Sequence, residues 1–228
     1  MRLDGPQGLA GVAVAASIAT LAWDGDVLRL PLACAFYRLW ACASNRAWSA
    51  AVAASYFLAA SRGLPLGVAT YYQTDIWPGL LLWLLASLTF ISVHALLWTG
   101  DTGWRMALRC CSAMIVMALP PLGVLGWAHP ITAAGALCPG AGWLGLLLTL
   151  VLSTQLSTRF WRPAALALAS LWCASCLISE VPPPPPGWRG VDLALGASLG
   201  RDLSLRRFAE LKTLVQETRR DGDIVVVL

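Results

Sequence analysis

The chain has 228 residues, 58% hydrophobic and only 12% charged, with a mean hydropathy of +0.68, against roughly 45–50% apolar and 25% charged in soluble domains. Too little polar surface remains to coat a water-facing sphere, which excludes a soluble enzyme, a disordered tail or a nucleic-acid binder for most of the chain. The net charge of +4 belongs to residues 1–178, with nine Arg against five Asp, because residues 179–228 balance seven basic against seven acidic groups; it reads as a topology signal and not as a footprint for phosphate.

Seven apolar segments follow one another, at about 7–23, 27–43, 47–61, 78–98, 106–127, 140–158 and 163–178, and define an all-α polytopic membrane bundle of about seven transmembrane helices. Several are shorter than the roughly 20 residues that cross a bilayer, so they must thin it or lean on neighbours. The first ends in Trp23-Asp24-Gly25-Asp26 with no small-x-small cleavage site before it, and is expected to stay as a helix. The second is the weakest, because Arg29 and Arg38 flank or enter it and a central Arg costs roughly 2.5–3.5 kcal/mol. Snorkelling from either end is the cheaper arrangement.

Gly11, Ala15 and Ala19, and again Ala47, Ala51 and Ser55, form small-xxx-small rows that predict close helix packing. The connection over 61–78, with Tyr71-Tyr72 and Trp77-Pro78, is long and aromatic. It suits an ordinary amphipathic surface connection, with a re-entrant loop lining a lipid-accessible groove as the alternative. His94, on the fourth segment, and His129, in a loop, have no carboxylate at helical spacing, which predicts hydrogen-bonded structural roles and no metal site. Pro120-Pro121 predicts a kink or an early end in the fifth segment. Trp23, Trp77, Trp98, Trp104, Trp127, Trp143 and Trp161 fall at segment ends, as an interfacial belt would. Six cysteines, Cys34, Cys42, Cys110, Cys111, Cys173 and Cys176, lie in apolar stretches and Cys138 in a loop; even the Cys173-x-x-Cys176 pair reads as packing and not redox chemistry.

With a cytoplasmic N-terminus and seven crossings, the inside collects Arg2, Arg38, Arg46, Arg105, Arg109, Arg159 and Arg162, and the outside only Arg29 and Arg62. The positive-inside rule favours that orientation. Losing the second and third spans as a pair would leave five crossings and the same parity, so the tail emerges on the far side, the periplasm of a bacterial inner membrane. The spans lack paired intramembrane carboxylates, which argues against a small transporter.

After the domain at 1–178 comes a proline-rich linker at 179–187, with Pro182 to Pro186 as a stiff spacer. The region 188–228 predicts an amphipathic helix from about Asp202 to Arg220. Leu205, Phe208, Leu211, Leu214 and Val215 gather on one side, Arg219 and Arg220 suit its end, and Gly222 suits a left-handed terminator. Ile224 to Leu228 reads as a strand buried on both faces. One helix and one or two strands cannot cover a sheet, so this region is expected to be an incomplete α/β stub.

A multi-span domain, a proline-rich exit, Gly187-Trp188-Arg189-Gly190-Val191-Asp192, Leu195-Gly196, a helix and Asp223-Ile224-Val225-Val226-Val227-Leu228 together resemble the TraB family of plasmid conjugal transfer proteins. That family is similar to the apolipoprotein N-acyltransferases and belongs to the carbon–nitrogen hydrolase, or nitrilase, superfamily. Pro120 to Trp127 and Pro139 to Gly145 look like the matching membrane segments, although Ala118-Leu119-Pro120-Pro121 departs from the Gly-Phe-Pro-Trp of the acyltransferases, which favours the conjugation branch. The resemblance implies a nitrilase-like fold for the stub and a Glu base, a Lys and a Cys nucleophile beyond the strand at 224–228. Lys212, the single lysine, precedes that strand and does not match, and neither does any of the seven cysteines. The expectation is therefore a chain truncated at the opening of the hydrolase domain and inactive, with no catalytic, cofactor-binding or metal-ligating residue. The alternatives are a non-catalytic scaffold of the envelope or mating apparatus and a remnant of an acyltransferase. Expected partners are the lipid bilayer and other conjugation or envelope proteins, with no nucleic acid, cofactor or metal.

Overall fold

A computed structural model of the chain describes residues 3–125, 128–178, 188–190, 201–218 and 225–227. It divides into two units, Met1–Arg62 with Leu81–Ser179, and Gly63–Leu80 with Glu180–Leu228.

The first unit begins with α1 (Gly5–Ala22), whose buried face is Gly8, Gly11, Ala15, Ala19 and Ala22. That row of small residues lets α3 (Arg46–Ala60) come close: a Cβ on Gly8 would sit 2.8 Å from the Trp48 indole. Trp23 Nε1 donates to the Tyr56 hydroxyl at 3.0 Å and fastens the far ends of the two helices. The chain before α1 is held by a parallel bridge between Leu3 and Ala43, with Leu3 N donating to Cys42 O at 2.7 Å. On α3 the buried face is Ser49, Val52, Ala53, Tyr56 and Phe57, whereas Ala47 is exposed, so the second small-residue row is not that helix's main packing surface.

The segment at 27–43 is not one α-helix. It is a nine-residue 3-10 helix, Val27–Ala35, running into α2 (Phe36–Cys42). Pro31 explains the tighter winding, since its ring crowds the preceding turn and it has no N–H for the α-helical ladder. The Asp26 carboxylate accepts from Leu28 N at 3.0 Å and starts the element. Arg29 does not enter the apolar stretch unpaired: its guanidinium pairs with Asp24 and, at 3.3 Å, with Asp26.

Among the described residues, four helical stretches are long and apolar enough to cross a membrane: Gly5–Ala22, Arg46–Tyr72, Ile76–Leu97 and Trp161–Ile178. The third is α5 (Ile76–Leu97) and the fourth is α10 (Trp161–Ile178). The second combines α3 with α4 (Leu64–Tyr72), across a turn at 61–63. The expected irregular connection over 61–78 is thus helical through Tyr72. Pro65 sits in the first turn, where its missing N–H costs nothing, and Gln73 ends the helix in the left-handed region at φ 50°. Two further helices, α6 (Trp104–Ala118) and α9 (Gly142–Leu156), have fifteen residues each. The first of them stops just before Pro120-Pro121, the early end expected there. Between them lie α7 (Leu122–Leu125), a 3-10 turn at Pro130–Thr132 and α8 (Ala133–Leu137). A Cβ on Gly145 would meet Cys138 Cβ at 2.9 Å, so glycine permits the tight return of α9 past the end of α8.

In the second unit, Gly79 passes Pro65 so closely that an added Cβ would lie 2.5 Å from its carbonyl oxygen. The later part of this unit holds β1 (Trp188–Gly190), α11 (Arg201–Thr218) and β2 (Val225–Val227). The strands are parallel, with Trp188 opposite Val225 and Gly190 opposite Val227. Parallel neighbours require a crossover of a dozen or more residues, and the helix lies within it. On α11, Leu205 and Phe208 are 60% and 70% exposed, while Leu211 and Val215 are half-buried. Pro182 to Pro186, Gly187, Val191, Asp192, Leu195, Gly196, Arg219, Arg220, Gly222, Asp223, Ile224 and Leu228, and with them the linker, fall outside the described residues, as do Gly126 and Trp127.

Candidate functional site

The densest part of the first unit is an aromatic cage around His94. Phe36 and Phe57 lie edge-on or tilted at 5.1 and 5.2 Å from the imidazole, Trp40 at 5.5 Å and Tyr37 at 6.3 Å. Nδ1 is 2.8 Å from Phe90 O one turn back, so the proton sits on Nδ1 and donates to that carbonyl. The His94 carbonyl in turn accepts from Trp40 Nε1 at 3.1 Å and from Ser49 Oγ at 3.4 Å. Among the described residues no carboxylate or second imidazole takes part, and Nε2 is buried without a hydrogen-bond partner. The cage joins α2, α3 and α5 and has the features of a packing centre; nothing in it prepares a base.

His129 is buried as well, and both its ring nitrogens are engaged. Nδ1 accepts from Ile131 N at 3.0 Å, capping the 3-10 turn, so the proton lies on Nε2, which donates to Met114 O at 3.0 Å. Burial holds its pKa below the ordinary value near 6.5. It therefore clamps the Pro130–Thr132 turn to α6 as a neutral ring, the structural part expected of it.

Helix α9 carries a feature that reasoning from the sequence missed, although its four-residue spacing is a usable signal: Gly145, Thr149, Ser153 and Ser157 form one buried row. Ser153 lies beside Cys34 and Ser157 beside Cys110. Small polar side chains let α9 approach α2, α6, α8 and α10, as they do in helix pairs that gain nothing by leaving lipid.

At one end of α10 the chain gathers arginine over aromatic rings. The Arg38 guanidinium lies 4.7 Å from the centre of the Trp161 ring and Arg162 lies 5.5 Å from the same ring, while Arg159 sits 4.8 Å from Phe160. An apolar groove of about 280 Å³ leads away from this cluster between the 3-10 segment and α10. A second, more polar recess of about 560 Å³ lies among Thr102, Trp104, Gln155, Thr158 and Arg159. Of the Trp residues at segment ends, Trp77, Trp104 and Trp143 are largely exposed, whereas Trp23 and Trp161 are tied into packing contacts.

Lys212 is exposed on α11 in the second unit, and all seven cysteines lie in the first. None is in a disulfide. Cys34 and Cys110 are buried, but Cys173 and Cys176 are exposed on α10, so these two do not pack into the interior as expected. Among the described residues no three His, Cys, Asp or Glu side chains are grouped as a metal site would require. The described residues thus bring arginine, tryptophan and an apolar groove together, and do not bring a base to a nucleophile.

The family model for carbon–nitrogen hydrolases matches residues 58–219, from the later part of α3 through α11. The chain belongs to the carbon–nitrogen hydrolase family. More particularly, it is similar to the probable conjugal transfer protein TraB of Sinorhizobium fredii, 47% identical over 211 residues that cover 92% of this chain and 54% of the relative. It is 44% identical to the conjugal transfer protein TraB of Agrobacterium fabrum over 222 residues, covering 93% of this chain and 53% of that one. A protein from outside the virF region of Agrobacterium tumefaciens is 53% identical over 78 residues, covering 33% of this chain and 52% of its own length. The chain therefore spans about half the length of the curated relatives it matches. No solved structure matches it significantly.

Proposed function

We propose that the chain acts in plasmid conjugal transfer as the membrane-embedded part of a TraB-like protein, crossing a bacterial inner membrane seven times from a cytoplasmic N-terminus. Residues 179–228 then lie on the periplasmic face, where β1, α11 and β2 open a hydrolase-type α/β module. The observation that carries the orientation is the arginine distribution. Arg38, Arg105, Arg109, Arg159 and Arg162 fall in the same set of alternate connections, and only Arg29 and Arg62 fall in the other. Arg29 is also neutralised by Asp24 and Asp26, which sharpens the bias. The short second segment supports a crossing because a 3-10 helix rises about 2.0 Å per residue against 1.5 Å for an α-helix. Nine residues of the one and seven of the other extend roughly 28 Å, close to the hydrocarbon thickness. The conjugative role rests on the TraB relatives, and the function assigned to the membrane unit is anchoring and placement of the module.

The test is a phosphatase reporter fused after Leu228 and, separately, after Asp101. Activity after Leu228 and none after Asp101 is expected; the reverse pattern overturns the orientation. Deleting the gene from a donor plasmid should lower transfer frequency at least tenfold with donor growth unchanged. Unaltered transfer would remove conjugation from the reading.

A further inference from the structure

The groove beside α10 is lined by a tryptophan near each end of that helix, Trp161 and Trp172. Pro31, Leu32 and Ala35 form one wall, and Ala165 and Leu168 the other. Trp172 also lines it, and its Nε1 donates to Leu28 O at 2.6 Å. Trp161 opens α10, with Arg38 stacked on it at 4.7 Å. From Trp161 to Trp172 the helical rise gives a trough roughly 16 Å long. Its lining is almost wholly apolar, and the cationic element in that lining, Arg38, is at the Trp161 end.

Among the described residues no carboxylate is paired with the charge at that end. Among the described residues the ion pairs involve Arg29 and Arg105, and none involves Arg38, Arg159 or Arg162. Arg38 is half-buried, and a guanidinium over an indole ring still has N–H donors for an acceptor such as phosphate. A trough for an alkyl chain that ends at Arg38, with the exposed Arg162 over the same Trp161 ring, is complementary to an amphiphile with an anionic head. Basic pockets between membrane helices on the cytoplasmic side hold anionic headgroups in this way.

We propose that this groove binds an anionic phospholipid, with one acyl chain along Ala35, Ala165 and Leu168 and the phosphate held by Arg38 and Arg162. The lipid is a bound ligand and is not consumed. The proposal rests on the placement of this unit in a membrane but not on its orientation or on conjugation: a reversed reporter pattern would move the lipid to the other leaflet and leave the site standing.

The experiment is native mass spectrometry of the purified full chain in detergent, titrated with micelles containing palmitoyl-oleoyl phosphatidylglycerol or phosphatidylcholine of the same chains. Phosphatidylglycerol should be retained at least tenfold more. Arg162→Gln, at an exposed position, should reduce that preference several-fold, and Arg38→Gln with Arg162→Gln should abolish it. The paired Lys variants should keep most of it. Ala165→Trp, which fills the trough, should weaken retention of both lipids. Arg105→Gln with Arg109→Gln removes equal charge away from the groove and should change nothing. Equal retention of the two lipids by the wild type, unchanged selectivity in Arg162→Gln, or an equal loss in the Arg105/Arg109 control overturns the proposal.

Discussion

His94 carries one satisfied and one orphaned ring nitrogen inside a cage of four aromatic side chains, Phe36, Tyr37, Trp40 and Phe57, and the two halves of that description have opposite consequences. A buried polar atom without a partner is a cost, whereas the ring's contacts are a gain. His94→Phe, which keeps a ring and removes the orphan, should leave stability in detergent within about 1 kcal/mol of wild type or above it. His94→Ala should cost ~3–5 kcal/mol through the cavity left behind. A Phe variant as damaged as the Ala variant would show that Nε2 has a partner. His129 sets a pH dependence. Because burial lowers its folded pKa below 6.5, the unfolded chain takes up the proton first, and stability is full above that pH and declines as pH falls through it. Thermal melting between about pH 7.5 and 5 should show this decline, and His129→Gln should flatten it. An unchanged slope in the variant would assign the acid sensitivity to another group.

At the scale of elements, the pairing of α1 with α3 depends on the absence of side-chain volume. Gly8 faces the Trp48 indole so closely that any Cβ must push it aside. Gly8→Leu should therefore cost ~1–3 kcal/mol by overpacking, while Gly67→Leu, where an added Cβ meets nothing within 4 Å, should not. Comparable melting of the two variants would mean the interface yields without strain. The small-residue row at Gly11, Ala15 and Ala19 was legible from its four-residue spacing, because lipid-embedded helices attract through close approach and not through apolar burial. Ala47, Ala51 and Ser55 have the same spacing, yet α3 packs mainly through another face, since spacing does not tell which side of a helix meets a neighbour. Pro31 was visible too, but its effect, a run of 3-10 winding, depends on how the neighbouring turns settle around it.

For the molecule as a whole, the proposed topology makes the distribution of arginines the determinant of which way the helices insert. Replacing Arg105, Arg109, Arg159 and Arg162 by Glu leaves three arginines on the favoured side against two on the other, counted from the nine in residues 1–178. Phosphatase activity after Leu228 should then fall severalfold as orientations mix. Full activity would show that the hydropathy of the first span alone fixes the topology.

The chemical class of the chain was legible in its linear order. Composition and apolar spacing are additive properties of that order, and they were enough to indicate a largely helical chain with several helices apolar enough to cross a membrane. The family likeness rested on local strings such as Gly187-Trp188-Arg189-Gly190 and 223–228. It took the folded arrangement to establish that Arg29 is paired with Asp24 and Asp26 while Arg38 is stacked on Trp161, 123 positions away, at the mouth of an apolar trough. Contacts of that sequence separation are set by how α2 and α10 pack, and a hydropathy pattern records that a residue is apolar or charged without recording what it faces.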